Sequence, residues 1–151
     1  MSAAISTSAL LLRAGECTCA LNLLHVVEIM RPLAVSAVAG TPDFVCGLSM
    51  IRGAPTPVVS LASLLAGPGG LPTRFVVVRV GERRVALEVD EVLGVFELDP
   101  GTLHALPPLA QNAAADTLEA VGALDTQLLF VLDSAQIVPD EVWQKLVPLQ
   151  P

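Results

Sequence analysis

LLLRAGECTCALNLLHVVEIM, residues 10–30, returns as VVVRVGERRVALEVDEVLGVF, residues 76–96, at a spacing of 66. Superposed, Arg13 falls on Arg79, Gly15 on Gly81, Glu16 on Glu82, Ala20 on Ala86, Leu21 on Leu87 and Val26 on Val92. Six identities in 21 positions would be weak alone, but the turn residues and both flanking apolar patterns fall in one register, the mark of a duplicated unit. Each copy reads as strand, tight turn and strand. The chain is therefore expected to consist of two similar halves.

A second echo has a spacing of 73. Val58-Val59-Ser60-Leu61-Ala62 matches Val131-Leu132-Asp133-Ser134-Ala135, each an apolar strand running into a short helical turn. At that offset Arg52-Gly53 falls on Asp125-Thr126, so each half closes with another hairpin. Two halves with two hairpins each make a small all-β pair.

At 151 residues the chain fits one domain, whereas a barrel of about 60 residues would be marginal alone, so the halves should share packing surface. Apolar residues reach 53% and charged ones only 15%, against usual shares of about 45–50% and about 25%, which excludes a disordered tail and leaves apolar surface for partners. A net charge of −7 with eight basic residues argues against nucleic acid as a partner, because phosphate-tracking surfaces concentrate Lys and Arg. No apolar run is long enough for a membrane span, so no direct membrane insertion is expected. The start lacks the pattern of a secretory signal and the three cysteines suggest no disulfide framework, which makes the cytoplasm the simplest address.

Along the chain, Ser8 to Arg13 and Cys17 to Leu23 read as strands around Ala14-Gly15-Glu16, the second with one apolar face. Leu24 to Met30 reads as one helical turn or a tight bend, ended by Arg31-Pro32, and Leu33 to Val38 as a strand. Phe44 to Ile51 and Thr56 to Leu61 flank the Arg52-Gly53-Ala54 turn, with Pro55 and Pro57 predicting an edge strand or an interrupted ladder. Ala66 to Pro72 is the strongest linker signal. Arg74 to Val80, Arg84 to Val89 and Val92 to Leu98 then read as strands, followed by a long loop from Asp99 to Asp116. A last hairpin joins Leu118–Leu124 to Leu128–Leu132, and Pro139-Asp140-Glu141 opens a short C-terminal helix.

Three stretches in this order carry a family resemblance: Val26-Val27-Glu28-Ile29; Gly47-Leu48-Ser49-Met50-Ile51-Arg52-Gly53 with Pro57-Val58-Val59-Ser60-Leu61; and Val89-Asp90-Glu91-Val92. They resemble the family pattern V-x-E-I, G-x-x-x-x-R-G-x-x-x-P-V-x-D-L and V-D-x-V of the CheW-like domain, the coupling module of bacterial chemotaxis arrays. The resemblance runs from Leu10 to Leu146. It implies an all-β fold of two five-stranded SH3-like barrels with short helices between them and at the C-terminus. Within a single domain spanning 1–151, the first barrel would cover 8–65, the second 74–133 and the helix 139–147. Ser60 stands where the family has aspartate, a change a helix cap tolerates because both side chains accept from orphan amides.

The resemblance further implies an adaptor that joins a CheA-type histidine kinase, through its regulatory domain, to the cytoplasmic tip of a methyl-accepting chemoreceptor, with no cofactor and no catalysis. The receptor-binding candidates are Val26, Glu28, Ile29, Arg52, Gly53, Val92 and Val95. Those for the kinase are Phe44, Gly47, Leu48, Pro57, Val58, Val59 and Leu61. The plain readings stand beside them: Arg52 as a solvated turn cation, Glu28 as the solvent face of a turn, and Val92 and Val95 as core. Cys17 and Cys19, with Cys46, His25 and His104, invite a metal reading, but cysteines two apart on a strand are ordinary core packing, and no metal is expected. Neither histidine falls in a catalytic motif, and no nucleophile elbow or phosphate loop occurs, so the chain reads as a non-enzyme. The rival reading is a regulatory barrel holding a small ligand between its halves.

Overall fold

The computed structural model describes residues 7–65, 70–98, 118–124 and 127–132, with side chains described for 8–65, 70–98 and 131–132. The Asp99–Asp116 loop, the Asp125-Thr126 turn and the helix expected at 139–147 lie outside them. Among the described residues ten strands follow one another: β1 Thr7–Ala14, β2 Cys17–Asn22, β3 Val26–Met30, β4 Val45–Ile51, β5 Ala54–Ser60, β6 Arg74–Val80, β7 Arg83–Val89, β8 Glu91–Leu98, β9 Leu118–Leu124 and β10 Gln127–Leu132. A short α-helical turn, α1, spans Leu61–Leu64. The chain is all-β, and its strands form two five-stranded sheets that correspond to two β subdomains.

The sheets have the orders β8-β1-β2-β10-β9 and β3-β6-β7-β5-β4. Each takes one hairpin from one half of the sequence and three strands from the other, so the divisions 8–65 and 74–133 do not coincide with the sheets. The two offsets read from the sequence nevertheless relate one sheet to the other pair by pair. Val26↔Val78 and Ile29↔Val76 correspond to Leu12↔Val92 and Leu10↔Val95, and the bulge at Val27 has its counterpart at Leu93. Val45↔Val59 and Gly47↔Val58 correspond to Leu118↔Leu132 and Ala120↔Val131, again with matched bulges. The hairpin turns agree as well, since Gly15 and Gly81 have φ of 60° and 61°, a backbone conformation glycine adopts without a Cβ clash. The repeat is a pair of interlocked subdomains.

The interlock explains the core. Alternate residues of β1, β2, β6 and β7 (Leu10, Leu12, Cys19 and Leu21 with Val76, Val78, Val85 and Leu87) meet between the sheets. Their opposite faces fill two smaller cores, Ala9, Leu11, Ala20 and Val131 in one sheet and Phe75, Val77, Ala86 and Val58 in the other. These two cores are equivalent under the same offsets. The first hairpin, expected to have one apolar face, is thus buried on both sides: Thr18 and Ala20 are buried, as are Cys19 and Leu21.

Other expectations are corrected by where the ladder partners lie. The segment after Leu23–His25, a 3-10 turn capped by the Asn22 side chain accepting from the Leu24 amide at 3.0 Å, is the strand β3 and no helix, because its backbone pairs with β6. Leu33 to Val38 is not a strand; only Ser36 bridges to Leu48, through bonds of 2.8 and 2.9 Å. Strand β5 is interior, between β7 and β4, and of the two readings of its prolines the interrupted ladder holds: pairing with β7 begins only at Val58. Ser60 caps α1, its hydroxyl accepting from the Ser63 amide at 3.3 Å, the role expected for an aspartate substitute.

Candidate functional site

The β3–β6 ladder is bulged between Val26 and Glu28, and a bulge re-aims the side chains that follow it. Glu28 there receives both arms of a guanidinium: Arg52 Nη2 donates to Oε1 at 2.8 Å and Nε to Oε2 at 3.2 Å. Arg52 sits in the β4–β5 turn with φ of 52°, unusual for a residue with a Cβ, and its side chain is 70% exposed. Two residues 24 apart in sequence, both read as receptor contacts, are thus one bidentate ion pair. The Glu28 carboxyl is held below its ordinary range, first by the hydrogen bonds from Arg52 and then by the charges of Arg52 and Arg84. The charged pair persists in the neutral range, and as pH falls through that lowered pKa the grip is released.

The apolar candidates divide. Val26 and Val92 lean on the shared core from β3 and β8, which are edge strands of different sheets. Ile29 and Val95 are 43% and 56% exposed. They are equivalent residues of the two repeats, and Leu93 and Phe96 extend the exposed apolar surface of β8. Gly53 is exposed in the turn beside Arg52.

The kinase candidates are mostly interior. Val58, Val59 and Leu61 have no exposed surface, and Pro57 and Gly47 are buried, so none of these five can offer a side chain to a partner. Their identity is dictated by packing. A Cβ on Gly47 would lie 2.0 Å from the Ser36 carbonyl oxygen, so the glycine lets the 34–36 segment close onto β4. Phe44 and Leu48 remain half-buried, and exposed Met50 and Leu33 flank Leu48 on the outer edge of β4.

Asp90, in the third motif, is a staple. Its Oδ2 accepts from the amides of Gly15 at 3.0 Å and Gly70 at 3.2 Å. Its own amide donates to Arg13 O at 2.9 Å, and its carbonyl accepts from Thr73 Oγ1 at 2.5 Å. One residue ties the β1–β2 turn, the end of the linker and the start of β8. Asp90→Ala should cost about 2 kcal/mol, as expected when charge-assisted bonds to backbone amides are lost, read as a lowered denaturant midpoint; an unchanged midpoint would mean that these amides are satisfied by water.

The thiols do not converge. Cys19 lies in the shared core and Cys17 packs against it, and burial pushes both thiols up, Cys17 also feeling Glu16. Cys46, on β4, is raised to about 11, by burial first and then by the charge of Glu88. Glu88 is itself raised, chiefly by burial. A carboxyl raised on folding holds its proton longer in the native state, so stability falls as pH rises from the unfolded pKa through the folded one. Glu88→Gln should therefore raise the melting temperature at neutral pH and lose that advantage in acid; an equal gain at both pH values would assign the effect to packing. Among the described residues no three His, Cys, Asp or Glu side chains are grouped to hold a metal, and no helix is long and apolar enough to cross a membrane.

Sequence reading missed Asp90 as a structural clasp and the exposed pair Arg83-Arg84 beside Arg52. The available signal was the doublet itself, in a chain with eight cations.

Residues 8–142 match the family model for the CheW-like domain. "Chemotaxis protein CheW" of Klebsiella aerogenes is 30% identical over 124 residues, covering 80% of this chain and 75% of that protein. "Chemotaxis protein CheW" of Bacillus subtilis is 25% identical over 138 residues, 87% of this chain and 86% of that one. The crystal structure of the scaffolding protein TtCheW from Thermoanaerobacter tengcongensis has the same fold, with a TM-score of 0.78 at 18% identity over 88% of this chain and 92% of that one. With the interlocked pair of five-stranded subdomains and a motif order that agrees, this chain belongs to the CheW-like domain family.

Proposed function

We propose that this chain is a chemosensory adaptor that couples a chemoreceptor tip to a CheA-type histidine kinase through surface contacts alone. The observation that carries this reading is the Glu28–Arg52 ion pair, held on a bulged edge strand whose next residue, Ile29, is exposed on the other face. A guanidinium fork fixed by an intramolecular carboxylate is pre-organised, so a partner meets a rigid polar element next to an apolar one and loses little side-chain entropy on docking. The receptor contact rests on Glu28, Arg52, Gly53 and Ile29 with half-buried Val26, and extends to Val92 and Val95 if both edge strands are engaged. For the kinase contact only Phe44 and Leu48 of the candidates present surface, and the β4 edge, with Phe44 just before it and Leu48 and Met50 on it, is the corresponding face.

The test is a pull-down of the purified chain against a receptor cytoplasmic fragment and a kinase regulatory domain. Arg52→Ala and Glu28→Ala should each weaken receptor capture by about 10-fold or more, the loss expected at a pre-organised anchor, while the fold is retained. Met50→Glu should weaken kinase capture only. A folded protein that binds neither partner would remove the adaptor role.

A further inference from the structure

Arg79 of β6 stands directly opposite Arg84 of β7. The turn Gly81-Glu82 joins these strands and Val80 and Arg83 flank it, so the Arg79–Arg84 pair that follows is of the non-hydrogen-bonded kind, with its side chains close. Their Cβ atoms lie about 4.5–5.5 Å apart, a separation at which like charges repel and weaken the ladder. Both residues are exposed, and among the described residues neither has an ion-pair or hydrogen-bond partner.

The other sheet shows what this register holds when it is filled. Under the 66-residue offset Arg79 corresponds to Arg13 and Arg84 to Thr18. Arg13 faces Thr18 on one side and Glu91 of β8 on the other, and its guanidinium is paired with the Glu91 carboxylate. The residue equivalent to Glu91 is His25, which lies in the 3-10 turn, and the β3 ladder begins only at Val26, opposite Val78. Beside β6 the repeat has therefore gained a second guanidinium and lost the acid.

Register also brings this pair to the Glu28–Arg52 fork. Glu28 is opposite Val77, two residues from Arg79 on β6, so Glu28, Arg79 and Arg84 project from one face. The charge of Arg84 is felt at Glu28, but both carboxylate oxygens there are taken by Arg52. One carboxylate among three guanidiniums leaves these four side chains with two positive charges, in a chain of net charge −7.

We propose that the Arg79–Arg84 pair binds a carboxylate side chain of the receptor segment that docks at Glu28 and Arg52, and so selects receptor tips with an acid at that position. A carboxylate accepts on both oxygens and bridges two guanidiniums, ending their repulsion. The occupant is of the kind Arg13 already holds in the other repeat, supplied by a partner instead of by β8. The proposal rests on the receptor reading above and adds a specificity determinant to it.

The experiment is capture of a receptor cytoplasmic fragment by the full chain at low and at physiological ionic strength. Arg79→Gln with Arg84→Gln is expected to weaken capture about 5- to 10-fold at low salt and to flatten its salt dependence, while Arg79→Lys with Arg84→Lys keeps most of both. Replacing the fragment's acidic residues by Gln one at a time is expected to find one whose loss weakens capture by the unaltered chain and not by the Gln double variant. Circular dichroism checks the fold of each variant. Capture that Arg52→Ala weakens and the Gln pair leaves unchanged overturns this proposal and spares the receptor reading. No capture by the unaltered chain overturns both. A loss with the Gln pair that couples to no acid of the fragment assigns the effect to general surface charge and also overturns the proposal.

Discussion

Cut within the Ala66–Leu71 linker, the chain is expected to give two fragments that are each unfolded and that fold only when mixed. Alone, the N-terminal piece would carry the β1–β2 hairpin without its neighbours β8 and β10, the β4–β5 hairpin without β7, and β3 without β6. Isolated hairpins are marginal in water. The same cut exposes the shared core, and each of Leu10, Leu12 and Leu21 forfeits about 1.5–3 kcal/mol of burial. Pairing of two N-terminal pieces through the pseudo-symmetry is disfavoured by volume. Phe75 of one small core is equivalent to Ala9 of the other, so two first halves would leave a Phe-to-Ala void, worth about 3–5 kcal/mol, in each small core. Circular dichroism and urea unfolding of each fragment and of the equimolar mixture check this. A cooperative transition in either fragment alone would show that a sequence half can close a subdomain by itself.

Gly47→Ala is expected to destabilise the protein by about 3 kcal/mol or more, at the upper end for one methyl group. The added Cβ would meet the carbonyl oxygen and carbon of Ser36 at 2.0 and 2.7 Å and Ala37 Cα at 2.9 Å, all backbone that no rotamer change can move. The backbone φ of 141° adds strain for any residue with a Cβ. To relieve the clash the 34–36 segment must leave β4, giving up both Ser36–Leu48 bonds and the 2.8 Å bond from Ser49 Oγ to Ala34 O. Gly53→Ala is the control. It has a φ of 80° but open space around the new methyl, so its cost is the left-handed backbone alone, about 1–2 kcal/mol. Urea midpoints of the two variants at unchanged slope measure the difference, and equal midpoints would mean that the Ser36 contact yields freely. Arg52→Ala, from the same motif, should move the midpoint little and partner capture greatly, because a solvent-screened ion pair contributes little to stability.

The repeat and its register were legible before any coordinates, although β3 was read as a helical turn or bend and its ladder partner was not foreseen. Offsets of 66 and 73 carry Val26↔Val78 onto Val92↔Leu12 and Val58↔Ala86 onto Val131↔Ala20, and the strands, their turns and the Ser60 cap follow from local pattern. Which copy pairs with which was not legible, and the reason is the repeat itself. β3 and β8 present the same pattern to β1 and β6, so pairing within a half and pairing between halves satisfy the sequence equally well. Only packing chooses, through Phe75 against Ala9 and a core closed from both sides.

The site divides along the same line. Sequence marked Glu28 and Arg52 by charge and position in an apolar chain, and it took Gly47, Val58, Val59 and Leu61 as a kinase face because they share one motif with Arg52. A motif records which residues occur together and carries no sign of whether each faces solvent or core. Residue types, hairpins and repeat register were determined by the chain's local chemistry, where side-chain periodicity and turn preference act over a few residues. The Glu28–Arg52 fork and the burial of the presumed kinase face were decided by tertiary structure, since each depends on strands distant in sequence meeting.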